Sequence, residues 1–308
     1  MIGWRAVSDP LLPAVALAAV PGRRRATLEL AAEIEKRDFQ GIYCASFGDA
    51  LGLCEALALV TKRIPFGTTI ANLYTRHASD YAISAAFIHE LSGGRFHFGV
   101  GVSHAPVNRR MGITTGRPLE DARRFVEELR ATQRVGELPP VVLAALRQRM
   151  VALAGEVAQG LVFANVARSH VARSLEALPP ARRSDPGFFV GDMIPVCISD
   201  DRAAAMERNR RTLVMYVSLP NYRNYWKEAG YVEEMTAIEK AGRGEDLTRL
   251  MSDRWLADVT LFGTATEVRD GVEAWRAAGV TTPILVPSSA HGNQMNAFEE
   301  LFAAFAPR

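Results

Sequence analysis

The stretch that best predicts the fold is Thr61 to Gly112, which reads TKRIPFGTTIANLYTRHASDYAISAAFIHELSGGRFHFGVGVSHAPVNRRMG. It contains two short apolar runs, Pro65–Ile70 and Phe96–Val100, with glycine or proline near their ends, as expected of strands that are buried on both faces. Between these runs, Asp80–Leu91 has the composition of a helix. A strand, a helix and a second strand in this order are typical of a parallel β-α-β unit.

The same alternation continues on both sides of this unit. Further apolar runs typical of strands are found at Ala14–Val20, Gly41–Ala45, Val141–Ala144, Gly160–Phe163, Met193–Ile198 and Thr282–Val286. Helical patterns separate the strands at Arg23–Lys36, Leu119–Ala131 and Glu267–Ala278, and Gly279 stands where a glycine commonly ends a helix. Eight strands separated by helices favour a (β/α)8 TIM barrel over an open, doubly wound sheet.

One part of the chain departs from this alternation. Asn221–Leu256 is helical in composition but does not follow a predicted strand, so we expect a helical insertion near the barrel mouth, before the last helix and strand. Its aromatic start, with Tyr222, Tyr225 and Trp226, could line a pocket. The length of 308 residues suits one barrel, and we expect residues 1–308 to form a single domain.

Composition and charge argue against several classes of protein. The chain has 36 Lys and Arg against 34 Asp and Glu, so its bulk charge gives no reason to expect nucleic-acid or membrane binding. The apolar run Leu11–Val20 contains Pro13 and is too short to span a bilayer. The three cysteines are far apart and form no CxxC motif, which is typical of a reducing compartment. We therefore expect a soluble cytoplasmic protein.

The sequence also lacks the motifs of several common chemistries. Its six histidines show no HxH or HExxH spacing, so no metal site is expected. There is no GxSxG nucleophile motif, no GxxxxGK[ST] phosphate loop and no GxGxxG at a strand-to-helix turn. None of the four lysines lies at the carboxyl end of a predicted strand, which argues against Schiff-base chemistry.

Three longer blocks of sequence point to a known family. The first contains FGTTI at Phe66–Ile70, LSGGRFHFGVG at Leu91–Gly101 and SHAP at Ser103–Pro106. The second is PPVVLAALRQRMVALAGEVAQG at Pro139–Gly160, and the third is FGTATEVRDGVEAWRAAGVTTPILVP at Phe262–Pro287. Together they resemble the luciferase-like monooxygenase superfamily and, within it, the oxidoreductases that use the deazaflavin coenzyme F420. The resemblance implies a barrel enzyme that acts on a small molecule and forms a homodimer.

The resemblance also implies a cofactor site at the carboxyl ends of the strands. In the family, a non-proline cis peptide bond forms a bulge that backs the flavin ring, and here that bond would join Thr69 and Ile70. The backbone amides of Val102 and Ser103 would contact the cofactor phosphate, because the neighbouring glycines let the backbone approach a ligand closely. The implied cofactor-binding residues are Thr69, Ile70, Asn72, Gly101, Val102, Ser103, Leu146, Arg147 and Gln148.

Candidate catalytic and substrate residues follow the same strand ends. His104 stands where some family members have a catalytic carboxylate, so it could transfer a proton; alternatively, it could anchor its loop by a hydrogen bond. Phe47 and Tyr74 follow the second and third strands, and His291 follows the last one, so we expect all three to contact the substrate. These residues suggest an apolar or aromatic cavity but identify no particular molecule.

Two departures from the family pattern leave alternatives open. Ser46-Phe47 stands where many relatives have an acidic residue followed by histidine, and Arg147 stands in AALRQRM where relatives usually read AALGPRM. Arg147 could contact the phosphate directly, or its bulk could block the site. The first interpretation is a coenzyme F420-dependent oxidoreductase. The others are an FMN-dependent monooxygenase served by a flavin reductase, and a ligand-binding barrel that has lost its cofactor.

Overall fold

The computed structural model describes residues 11–46, 48–242 and 244–306. In this part of the chain, ten strands pair in parallel within one sheet. Their bounds are β1 Ala14–Leu17, β2 Ile42–Ala45, β3 Phe66–Thr69, β4 Ala71–Asn72, β5 Phe96–Gly101, β6 Val141–Ala144, β7 Gly160–Ala164, β8 Phe189–Ile198, β9 Leu261–Gly263 and β10 Thr282–Ser288.

Helices connect the strands. Their bounds are α1 Arg24–Lys36, α2 Ala50–Val60, α3 Ala78–Leu91, α4 Ala105–Arg110, α5 Pro118–Ala131, α6 Gln148–Val157, α7 Val171–Leu175, α8 Pro180–Arg183, α9 Arg202–Val217, α10 Pro220–Glu228, α11 Val232–Lys240, α12 Asp253–Val259, α13 Ala265–Ala277 and α14 Gln294–Ala304. Two turns of 3₁₀ helix lie at Arg168–His170 and Leu247–Leu250. Within the described ranges, no helix offers an apolar stretch that could traverse a bilayer.

Eight strand positions close into a barrel. The order is β1-β2-β3-β5-β6-β7-β8-β10, and β10 pairs with β1 through Ala14–Ile284 and Val15–Leu285. β4 continues β3 beyond Ile70 and pairs with β5, while β9 pairs with the last residues of β8. The architecture is therefore the predicted (β/α)8 TIM barrel.

The interior of the barrel differs between its two ends. Near the amino ends of the strands, the rings of Tyr43, His97 and Phe189 pack together, and the Tyr43 hydroxyl lies 3.3 Å from His97 Nδ1. At the carboxyl ends the facing residues are small: a Cβ atom placed on Gly101 would lie only 2.7 Å from the Cβ of Ala144. Bulky rings thus fill the amino end, whereas small residues pack closely against one another at the carboxyl end, where active sites of this fold are found.

The predicted helices are confirmed closely, whereas three strands differ from expectation. β1 ends at Leu17, before the predicted end at Val20. β8 begins at Phe189 instead of Met193, because its first half pairs with β7 and most of its length pairs with β10. β9 is not predicted at all, since Leu261–Gly263 is too short to show a pattern. Gly279 ends α13 as expected: its φ is +112°, and the Val280 N–H donates to the Trp275 carbonyl.

The helical insertion is longer than the predicted Asn221–Leu256. It already begins with α9, which follows β8 as an ordinary barrel helix would and therefore gives no separate signal in the sequence. Asp201, before α9, lies 3.8 Å from His291 in the loop after β10, measured between Oδ2 and Nε2. Near the other end of α9, the ring of Tyr216 lies 6.1 Å from that of His104, after β5. The insertion therefore joins opposite sides of the carboxyl face.

Buried polar contacts fix the insertion to the barrel. The indole N–H of Trp226 in α10 donates to the carbonyl of Asn165, the residue after β7, at 3.0 Å. Asp258 in α12 accepts hydrogen bonds from the Ser169 N–H at 2.9 Å and from the Tyr231 hydroxyl at 2.8 Å. Hydrogen bonds to a buried carboxylate are among the stronger polar contacts of a protein, so this segment is firmly docked.

Candidate functional site

The bulge after β3 lies at the carboxyl end of the barrel. The peptide bond between Thr69 and Ile70 is cis, which confirms what the resemblance implied. The Thr68 hydroxyl donates to the Gly99 carbonyl at 2.6 Å, and a Cβ on Gly99 would lie 1.8 Å from the Thr68 carbonyl oxygen. Only glycine permits this approach between β3 and β5. Beside the bulge, the Thr69 hydroxyl is buried without a hydrogen-bond partner among the described residues.

The loop after β5 is shaped by two asparagines. The Asn72 amide donates to Asn108 Oδ1 at 2.8 Å, and the Asn108 amide donates to the Val102 carbonyl at 3.0 Å. Ser103 adopts a left-handed conformation with φ +56°. Within the described part of the chain, no backbone carbonyl accepts a hydrogen bond from the N–H groups of Val102, Ser103 or His104. Successive free N–H groups of this kind can bind an anion such as a phosphate.

The neighbouring loop, after β6, leads into the start of α6. Val100 pairs with Leu143, so the register brings the loops after β5 and β6 to the same level. Leu146 packs against the main hydrophobic core, and Arg147 is the N-cap residue of α6, with no side-chain capping bond. The exposed Gln148 is the first helical residue, and unpaired N–H groups at this end of a helix favour an anion.

The guanidinium of Arg147 is already engaged in an ion pair. Its Nε donates to Oε1 of Glu228 at 2.9 Å, and its Nη2 donates to the same oxygen. Glu228 is the last residue of α10, so this pair joins the insertion to α6. Sequence reasoning missed Glu228, because nothing in its local pattern distinguishes it from other surface glutamates.

His104 is half-buried beside two tyrosine rings. Its ring centroid lies 6.1 Å from that of Tyr216 and 5.8 Å from that of Tyr222. Burial lowers the pKa of His104 below its usual value of 6.5, so the ring is neutral at pH 7. Its Nδ1 atom is buried and has no hydrogen-bond partner among the described residues, which gives no support to a loop-anchoring role through that atom. A neutral imidazole in this position can accept a proton.

The three residues that were expected to contact the substrate do not form one group in the structure described. The Tyr74 hydroxyl donates to Asp121 of α5 at 2.8 Å, so it is engaged in the outer helix layer. His291 lies beside Asp201 on the carboxyl face, and its side chain is 68% exposed. Phe47 lies outside the described residues. Of the aromatic start of the insertion, Tyr225 and Trp226 are buried in the core, and Tyr222 faces His104.

A second buried polar group lies next to these tyrosines. Asp192 of β8 is fully buried, and neither carboxylate oxygen makes a hydrogen bond in the described ranges. Burial raises the pKa of Asp192 well above its usual range. The Asn165 amide faces the hydroxyls of Tyr216 and Tyr222 and has an unpaired Nδ2. In the sequence, Asp192 directly precedes the predicted strand Met193–Ile198, and an acidic residue at such a position could have identified a buried polar group.

The family of the chain is shown by comparison with known proteins. A family model described as luciferase-like monooxygenase matches residues 11–282. The chain belongs to this family. The membership confirms the resemblance on which the cis bond was expected, and it confirms at the level of the family the expectation of an F420- or flavin-dependent enzyme.

Individual proteins resemble the chain along most of its length. A Mycobacterium tuberculosis protein, whose name assigns it to the coenzyme F420-dependent oxidoreductases, is 25% identical over 85% of this chain and 90% of its own. The F420-dependent tetrahydromethanopterin reductase of Methanopyrus kandleri superposes with a TM-score of 0.76, at 18% identity, over 95% of this chain and 97% of its own.

A solved structure that contains FMN has the same fold. It is the oxygenating component of 3,6-diketocamphane monooxygenase of Pseudomonas putida, solved in complex with FMN. It superposes with a TM-score of 0.62, at 15% identity, over 96% of both chains. At these identities the structural likeness shows the shared fold and does not distinguish between the two cofactors.

Proposed function

We propose that the protein is a coenzyme F420-dependent oxidoreductase that transfers a hydride to or from a small organic substrate. The proposal is carried by the free N–H groups of Val102, Ser103 and His104, at the carboxyl end of β5. The name of the M. tuberculosis relative supports F420 over FMN. Arg147 supplies a cation at the same end of the barrel.

The residues at the barrel mouth fit a phosphate-bearing flavin or deazaflavin. Coenzyme F420, when bound, supplies the two-electron hydride chemistry. Ile70 packs with the barrel-interior cluster and would support the ring, while the amides of Val102 and Ser103 would hold the phosphate. Tyr222 would exclude water from the side of the insertion.

His104 would handle the proton that accompanies the hydride. When an alcohol is oxidised, its carbon loses a hydride and its hydroxyl loses a proton, and a neutral imidazole can accept that proton. In the reverse direction, the imidazolium would return it to the carbonyl oxygen of the substrate. Because burial lowers the pKa of His104, the neutral form that accepts the proton predominates at pH 7.

An FMN-dependent monooxygenase is the second candidate function. It is supported by the FMN complex of the P. putida neighbour, which has the same fold. Such an enzyme would consume oxygen and would need a flavin reductase partner to supply reduced FMN. The oxygen uptake of the protein with reduced FMN and a panel of small ketones therefore distinguishes the two functions.

The test of the proposed function is an equilibrium titration of the purified protein with coenzyme F420 and, separately, with FMN, followed by fluorescence. Micromolar or tighter binding of F420, with weaker binding of FMN, is the expected result. Preferential binding of FMN would favour the monooxygenase. If neither cofactor binds, the enzyme claim fails and a ligand-binding barrel becomes the better interpretation.

A cytoplasmic homodimer forms part of the same proposal. The described cysteines, Cys44, Cys54 and Cys197, are all unpaired and buried, which suits a reducing compartment. The neighbouring helices α2 and α3 expose large apolar side chains, among them Leu59, Ile83 and Phe87. Covering such a surface with the same surface of a second copy would remove it from water.

A further inference from the structure

The ion pair between Arg147 and Glu228 links two helix ends at the barrel mouth. Two N–H groups of the guanidinium converge on one oxygen of Glu228, with Nε at 2.9 Å. Both side chains are partly exposed, at 52% for Arg147 and 38% for Glu228. The pair is therefore accessible to a ligand from solution.

Helix electrostatics give this pair an unusual arrangement. Glu228 is the last residue of α10, where the partial negative charge of the helix end disfavours a carboxylate. Arg147 begins α6, where the free N–H groups favour an anion. The carboxylate of Glu228 is thus held on the cation that marks the anion-binding end of α6.

A phosphate would use the same guanidinium. Carboxylates and phosphates both accept hydrogen bonds from the forked N–H groups of arginine, so the two anions compete for them. An exposed ion pair is a weak interaction in water, so a phosphate with additional backbone contacts can displace it. α10 does not depend on Glu228 for its position, since Arg223 and Lys227 pair with Glu239, and Trp226 is bonded to Asn165.

We propose that Glu228 sets the affinity of the cofactor site by competing with the cofactor phosphate for Arg147. The inference rests on the proposed function, because it takes the phosphate of the cofactor as the ligand. In the free protein, Glu228 occupies Arg147; in the complex, the phosphate takes the guanidinium and the carboxylate of Glu228 turns to solvent. Glu228 is then a determinant of affinity and takes no part in proton or hydride transfer.

The test measures dissociation constants of F420 and of inorganic pyrophosphate for the wild type and four variants. We expect Glu228→Gln to tighten the binding of both probes about twofold to fivefold, the range set by an exposed ion pair. Arg147→Gln should weaken both about tenfold or more. In the Arg147→Gln background, adding Glu228→Gln should have no further effect.

The matched control is Glu239→Gln. Glu239 pairs with two basic residues of α10, so this variant also removes an ion pair of that helix but frees no cation at α6. Its dissociation constants should stay within about twofold of the wild type. Thermal unfolding of every variant checks that each is folded.

The outcomes separate this proposal from the proposed function. If Glu228→Gln leaves F420 binding unchanged or weakens it, the competition is wrong although the cofactor assignment stands. The same holds if Glu239→Gln tightens F420 binding as much as Glu228→Gln does. If F420 does not bind but Glu228→Gln tightens pyrophosphate binding, the competition for Arg147 stands and the cofactor assignment fails. If neither probe binds any variant, the competition is overturned.

Discussion

Among single residues, the carboxyl group of Asp192 has a pKa that depends on its burial. Asp192 is fully buried among Tyr222, Tyr225 and the Val166 N–H, and burial raises its pKa. The folded protein therefore retains a proton that the unfolded chain releases above its ordinary pKa of 3.8. Stability that this group contributes in acid is lost as the pH rises toward its folded pKa.

We expect Asp192→Asn to reduce this loss of stability with rising pH. The asparagine has a similar shape but no proton to release. The free energy of unfolding of the variant, relative to that of the wild type, should therefore increase from pH 5 to pH 8. One such proton accounts for at most about 1.4 kcal/mol per pH unit. Urea denaturation at the two pH values measures the difference. Asp253→Asn, at an exposed position, is the control, and equal pH slopes for wild type and Asp192→Asn would contradict the prediction.

His104 offers a second test at the residue scale. We expect His104→Gln to lower kcat about 10²- to 10⁴-fold, the usual contribution of a general acid or base, with little change in the Kd of F420. In alcohol oxidation by the wild type, activity should fall only in acid, because burial lowers the pKa of His104 below its usual value of 6.5 and the imidazole is protonated only there. This acidic limb should disappear in the variant. His77→Gln, in the exposed N-cap of α3, is the control; a His104→Gln variant with wild-type kcat would remove His104 from the mechanism.

At the scale of the element, the stability of the mouth depends on how the insertion is docked. Asp258 of α12 receives hydrogen bonds from both the N–H and the hydroxyl of Ser169, and from the hydroxyl of Tyr231. These contacts join the last helix of the insertion to its middle, at Tyr231, and to Ser169, after β7. Asp258 is therefore one of the points at which the insertion is held, together with the bond from Trp226 to Asn165.

We expect Asp258→Ala to destabilise the fold by about 2–4 kcal/mol, because it leaves the buried Tyr231 hydroxyl without an acceptor and removes both hydrogen bonds from Ser169. Chemical denaturation measures the loss, and hydrogen exchange should increase over residues 220–259. Asp253→Ala in the same helix removes a carboxylate that is 76% exposed and should cost less than about 1 kcal/mol. Equal losses in the two variants would show that Asp258 does not anchor the insertion.

For the whole molecule, the surface of α2 and α3 carries the prediction about assembly. Ile83, Phe87 and Leu91 follow one another at four-residue spacing along α3 and are 59%, 56% and 40% exposed. We expect the wild type to be a dimer at micromolar concentration and Phe87→Glu to be a monomer, because a charge cannot be buried unpaired in an apolar interface. Light scattering after size-exclusion chromatography gives the mass. Val232→Glu, at an exposed apolar residue of α11, should remain a dimer; a monomeric wild type would refute the proposal.

Most of the fold could be predicted because its signals are local. The apolar runs of β1 to β3 and β5 to β7, the helical composition of α3, and the periodicity of α1, α5 and α13 are set by neighbouring residues in the chain. The first half of β8 could not be predicted, since Gly191 and Asp192 interrupt its pattern and its pairing partners are distant in sequence. The length of the insertion was underestimated for the same reason, because α9 is locally an ordinary barrel helix.

The sequence by itself determined the barrel, the position of the cis bond between Thr69 and Ile70 and the loop with Val102 and Ser103, because short motifs encode them. Only the tertiary structure decided that Arg147 is paired with Glu228, 81 residues further along the chain, and that neither oxygen of Asp192 is hydrogen-bonded to any described residue. Such contacts depend on the path of the insertion across the barrel, which no local pattern specifies. The backbone of the site is therefore encoded locally, whereas its charges are set by long-range packing.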